Sequence, residues 1–173
     1  MLWLAALALI QDPLVTGYVE RLCRTLAPKI AVNVTLDKDA RAEALPDAIA
    51  VTTGMIAGAE NEAELAGILA HEMAHYRLHG ACLRFAASEN PHAAKLEHEA
   101  DQAAIPMLIK AGYDPIAMLR YFSIIRHARP DLPMAFSAED ILIERLQLEA
   151  TDHPMKDSVV DTAEFRRIRE RVR

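Results

Sequence analysis

The stretch that most constrains the fold is His71-Glu72-Met73-Ala74-His75. Two histidines at i and i+4 lie one above the other on a helix face, so their imidazoles can converge on one ion. A glutamate directly after the first histidine can reach the same place and take a proton from a water there. The pattern has this meaning only on a helix, and the flanking residues predict one. Asn61-Glu62-Ala63-Glu64 reads as a capping box, with Asn61 at the N-cap and Glu64 at N3. Leu65, Ile68, Leu69 and Met73 form an apolar stripe, and Gly80 reads as a C′ stop. The expectation is a zinc hydrolase whose His71 and His75 bind one zinc ion per chain and whose Glu72 is the general base.

Two histidines leave a catalytic zinc site one protein ligand short. The strongest candidate is Glu97, twenty-two positions after His75, which opens an ExxxD pattern with Asp101. Residues at i and i+4 share a helix face. Glu97 can therefore reach a metal while Asp101 accepts a hydrogen bond from a ligand imidazole and fixes its tautomer. His79, His92, His98 and Glu99 compete for the role. His79 continues the i+4 spacing from His75 on the same face and could be a fourth polar neighbour, but its place in the last turn reads rather as a C-terminal cap, where a cation is favoured. Glu99 is two residues from Glu97 and points away from it on a helix.

At 173 residues and 52% hydrophobic, the chain reads as a globular domain over residues 12–173. A net charge of −6 argues against a nucleic-acid partner, and the Arg-rich stretch from Arg166 to Arg173 reads as the solvated face of a last helix. Cys23 and Cys82 lack the spacing of metal ligands and read as isolated, half-buried thiols. Residues 1–11 are apolar like the core of an export signal but carry no basic start, and the run is too short for an ordinary membrane span. Read as a signal, they place the protein in the periplasm or secrete it. Otherwise it is membrane-associated or cytoplasmic.

Asp12-Pro13 opens a first helix with a stripe of Leu14, Tyr18, Leu22 and Leu26. Strands are expected over Ile30–Leu36 and Ala48–Thr53, with a turn at Asp37–Arg41 between them. The motif helix follows. A short helical piece through Leu83 and Phe85 comes next, then a helix from about Pro91 that Pro106 should kink or split and Gly112 should end. Further helices are expected from Pro115, over Ile141–Ala150, and over about Thr162–Arg171. The fold class is α+β, mostly helical, with a small sheet of two or three strands before the motif helix.

Several of these segments together resemble the M48 peptidases, a family that includes the CAAX prenyl protease and bacterial periplasmic metallopeptidases. The resemblance is carried by the stretch from Asn61 to His75, by Val51-Thr52-Thr53-Gly54-Met55-Ile56 before it, by Glu97-His98-Glu99-Ala100-Asp101, by Ala111-Gly112-Tyr113-Asp114-Pro115 and by His153-Pro154. It implies a zincin-like domain of the gluzincin type and an endopeptidase acting on polypeptides, with a role in envelope protein quality control and association with the membrane or envelope. His71, His75 and Glu97 would be ligands, Glu72 the base and Asp101 the partner of a ligand histidine. His153 would stand close to the zinc, stabilising an oxyanion or restricting access. The sheet's last strand, near Ala48 to Thr53, would hold an extended peptide. The chain departs from the family in the short span from His75 to Glu97, in His79 where an Arg-His pair is usual, in Ala42-Glu43-Ala44 where Asn-Ala-Phe is usual, and in Pro106. The competing reading is a zinc-binding, chaperone-like module that holds polypeptides without cutting them. An intact Glu72 speaks against it, since a structural site needs no base.

Overall fold

The computed structural model describes residues 12–80, 93–118 and 157–173. The apolar residues 1–11, Cys82, the helical piece at Leu83, His92, the helix over 141–150 and His153 lie outside the described residues. The described elements are α1 (Pro13–Leu26), β1 (Val32–Thr35), β2 (Ala42–Ala44), β3 (Ile49–Thr52), α2 (Thr53–Gly58), α3 (Glu62–His79), α4 (Ala93–Ala111) and α5 (Ala163–Val172). The architecture is α+β and mostly helical, as expected. No described helix is long and apolar enough to cross a membrane.

α1 starts as the sequence predicts. Asp12 caps it by accepting the Leu14 backbone N–H at 3.0 Å, with Pro13 in the first turn. Its buried side is Val15, Tyr18, Val19, Leu22, Cys23 and Leu26, while Leu14 is 60% exposed. The predicted stripe was therefore turned by one position at its start. The spacing that packs is Val15–Tyr18–Val19–Leu22–Cys23–Leu26, in alternating steps of three residues and one, and it includes Cys23, which is fully buried.

Among the described residues the sheet has three strands in the order β1-β3-β2. β1 and β3 are parallel, with Val32 opposite Ile49, and β2 runs antiparallel to β3, with Ala42 opposite Val51. β2 lies in a stretch with no strand expectation. Alanine and glutamate carry little β preference, and the strand forms because β3 offers it a full set of backbone partners. This order also corrects the expected peptide-binding strand. β3 is hydrogen-bonded on both sides, and the strand with an edge outside the sheet on the motif-helix side is β2.

α3 is buried along nearly its whole length, from Glu62 through His75. The four-residue stripe seen in the sequence is one side of a helix that is enclosed all round. Its small residues Ala63, Ala66, Gly67, Ala70 and Ala74 let neighbours approach closely. A Cβ at Gly67 would stand 3.3 Å from the Met118 Cα. The capping box is present: Asn61 Oδ1 accepts the Glu64 N–H at 3.0 Å, and Glu64 reaches back to the Glu60 N–H at 2.9 Å. Gly80 keeps right-handed helical angles (φ −36°, ψ −40°), so the left-handed stop expected there is not used.

α4 is the principal neighbour of α3 and runs through Pro106 without interruption. Pro106 is exposed, whereas Ala104, Ile105, Met107 and Leu108 around it are buried. The carbonyl that loses its partner to the proline is thus on the solvent side, where water can satisfy it, and packing keeps the helix whole. The helix ends as predicted at Gly112, whose φ of +85° is left-handed. Tyr113 N–H reaches Leu108 carbonyl at 3.0 Å and Gly112 N–H reaches Ile109 carbonyl at 3.1 Å, a Schellman closure.

Candidate metal centre

α3 and α4 lie side by side, and this sets the site. α3 projects His71, His75 and His79 from successive turns of one face. α4 answers with Glu97, Glu99 and Asp101. The Nε2 atoms of His71 and His75 are 3.0 Å apart. Glu97 Oε2 is 3.2 Å from the first and 3.3 Å from the second. Donor atoms about 2.0–2.1 Å from a tetrahedral zinc are separated by about 3.3 Å. Two imidazole nitrogens and one carboxylate oxygen at these separations fit such an ion and leave a fourth position open. Both histidines are buried, and the Glu97 side chain is 42% exposed, so the open side is at Glu97.

Asp101 is buried and its Oδ1 lies 2.8 Å from His71 Nδ1. A carboxylate accepts, so His71 keeps a hydrogen on Nδ1 and Nε2 is the nitrogen it can offer to a metal. In the ion-free protein the electrostatics favour positive charge here. Burial works against a charged His71, but Asp101, Glu97 and Glu72 outweigh it and raise its pKa well above 6.5. Burial would raise Glu97 too, yet the two imidazoles hold it well below the usual carboxylate range. A cation suits both groups.

Glu72 is buried on the same helix. Burial is the main reason its carboxyl is raised, with Glu97 adding to the effect and His71, His75 and the backbone N–H of Ala44 opposing it. Ala44 belongs to β2, so the edge strand touches the residue expected to act as base.

The structure therefore brings His71, Glu72, His75, Glu97 and Asp101 to one place. His98 is elsewhere, beside Gln102. His79 corrects the expectation of a helix cap. It is 5% exposed, its Nδ1 lies 3.0 Å from His75 Nδ1, and its Nε2 lies 3.1 Å from Glu99 Oε2. The signal was in the sequence as a third histidine on the i, i+4 ladder. The cap reading prevails over a fourth polar neighbour in the sequence because the last turn of a helix is ordinarily solvated, and here α4 covers it.

Comparison with known families finds one match, to peptidase family M48, over residues 13–93. It takes in α1, the sheet, α2 and all of α3, and stops before Glu97. No curated protein matches the chain.

Proposed function

We propose, from the match of residues 13–93 to peptidase family M48, that the chain is a zinc-dependent endopeptidase acting on polypeptides. The observation that carries the zinc reading is the convergence of His71 Nε2, His75 Nε2 and Glu97 Oε2, all within 4.8 Å of one another, beside a buried glutamate. His71, His75 and Glu97 hold the ion, and Asp101 holds His71. A zinc ion in this donor set supplies Lewis acidity toward a peptide carbonyl and toward water.

The remaining work falls to the protein. Glu72, raised by its burial, accepts the proton of the attacking water and returns it to the leaving amine. An extended substrate adds to the outer edge of β2, whose Ala44 N–H already faces Glu72, and this sets the peptide across the open side of the site. The test compares zinc content and casein hydrolysis in the wild-type chain and in Glu72→Gln. Equal zinc in both, with hydrolysis only in wild type and abolished by chelator, is expected. Zinc without hydrolysis in wild type would instead favour a module that binds polypeptides, and absence of zinc in a folded wild type would sink the reading.

A further inference from the structure

His71 and His75 are supported in different ways. His71 has a carboxylate of its own in Asp101. The outer nitrogen of His75 faces a third imidazole, and only beyond that a carboxylate. We propose that His79 and Glu99 are positioning residues that fix the tautomer and ring orientation of His75, through hydrogen bonds running from His75 Nδ1 to His79 Nδ1 and from His79 Nε2 to Glu99. This rests on His75 being a zinc ligand, as argued above.

The direction of these bonds is forced from the outer end. Glu99 is a solvent-accessible carboxylate, 40% exposed, and a carboxylate can only accept. His79 Nε2, 3.1 Å away, must then carry a hydrogen. A neutral imidazole has one such hydrogen, which leaves His79 Nδ1 as an acceptor. His75 Nδ1, 3.0 Å from it, must be the donor. His75 Nε2 is then bare and aimed at His71 Nε2 and Glu97. The opposite tautomer of His79 would put a hydrogen on His79 Nδ1, force His75 to accept there, and set a hydrogen on the nitrogen the metal needs. His79 is nearly fully buried. Lys95 stands 3.6 Å from the other Glu99 oxygen, on the exposed side of α4.

The test measures zinc affinity of the full-length chain by competition with a chromogenic chelator. H79L removes the acceptor and should raise the zinc Kd about 10–100-fold, the usual cost of losing a ligand's supporting partner. In H79N the amide oxygen can occupy the place of His79 Nδ1, so most of the affinity should return. Glu99→Ala should weaken zinc binding in the wild-type background and have no effect in H79N, where the link is already cut. Ring ¹⁵N shifts should show the Nδ1-protonated form of His75 in the zinc-loaded wild type. An unchanged Kd in a folded H79L, or a Glu99→Ala effect that persists in H79N, overturns the proposal. If H79L does not fold, Glu99→Ala decides it alone, because that side chain is 40% exposed and its loss leaves the core intact. A folded wild type that takes up no zinc overturns the endopeptidase reading and this proposal with it. Normal wild-type uptake with an indifferent H79L overturns only the latter.

Discussion

Each residue of the centre does one chemical task, and the tasks separate under substitution. Glu72→Gln keeps the shape of the site and removes the proton acceptor. Hydrolysis should fall by a factor of about 10²–10⁴ or more, with zinc content unchanged by metal analysis. His71 gives a second prediction, in protons. Its raised folded pKa stabilises the ion-free fold below the unfolded value near 6.5, and that contribution is lost as pH rises through the folded value. A metal must displace this proton. Zinc uptake near pH 7 should therefore release protons, and affinity should fall as pH falls. Calorimetry in two buffers of different ionisation heat would show it, and a buffer-independent heat would refute it. Cys23 is inert by the same kind of reasoning: burial, with a smaller contribution from Glu20, pushes its thiol up to about 12. The pairing of His71 with His75, and of Glu97 with Asp101, was legible because i, i+4 spacing states which side chains share a face. The role of His79 was not, because spacing says nothing about which neighbouring helix covers that face.

Among elements, the junction of the sheet with α2 is the most tightly specified. Thr52 Oγ1 caps α2 by accepting the Met55 N–H at 3.1 Å, and the same hydroxyl donates to Asp39 carbonyl at 2.6 Å. Gly54 N–H donates to Asp37 carbonyl at 2.7 Å. Arg41 braces the loop through Asp37 at 2.6 Å and Asp39 at 2.7 Å. A Cβ on Gly54 would stand 2.1 Å from Lys38 carbonyl oxygen. Gly54→Ala must push this loop away, and β2 follows directly after it. Thermal unfolding should show a loss of about 1–3 kcal/mol, and hydrolysis should suffer beyond what the stability loss explains if β2 holds substrate. The sequence marked Gly54 as the end of a strand but not as a point of backbone contact, since the contact is with residues far from it in the fold's local order. β2 was illegible for a related reason: its residues are ordinary, and its partner makes it a strand. The expected split at Pro106 does not occur, because the freed carbonyl lies on the solvent side of a packed helix.

At the scale of the whole molecule, Glu62 joins elements from both ends of the described chain. Its buried carboxylate accepts the Tyr18 hydroxyl at 3.0 Å, the Tyr113 hydroxyl at 2.7 Å and the Thr162 hydroxyl, while its backbone N–H reaches Asp161 at 3.3 Å. α1, α3, the end of α4 and the cap of α5 thus share one anion at the start of the motif helix. Arg171 adds a contact to Asp12, and Arg169 reaches the Ala59 carbonyl at 3.2 Å. Glu62→Ala would strand two tyrosine hydroxyls in the interior. The expected cost is about 2–5 kcal/mol in chemical denaturation, with the His71–His75 spacing preserved as long as the protein stays folded. A loss within a few tenths would show that water replaces the carboxylate. The sequence presented Glu62 only as part of a cap; its partners are up to 100 positions away. That distance has a meaning in time. At about 5–20 residues per second of synthesis, some 5–20 s separate the appearance of Glu62 from that of Thr162. Through that interval the motif helix waits with its first turn incompletely satisfied. The start of the motif helix therefore gains its full set of partners only after Thr162 has been made.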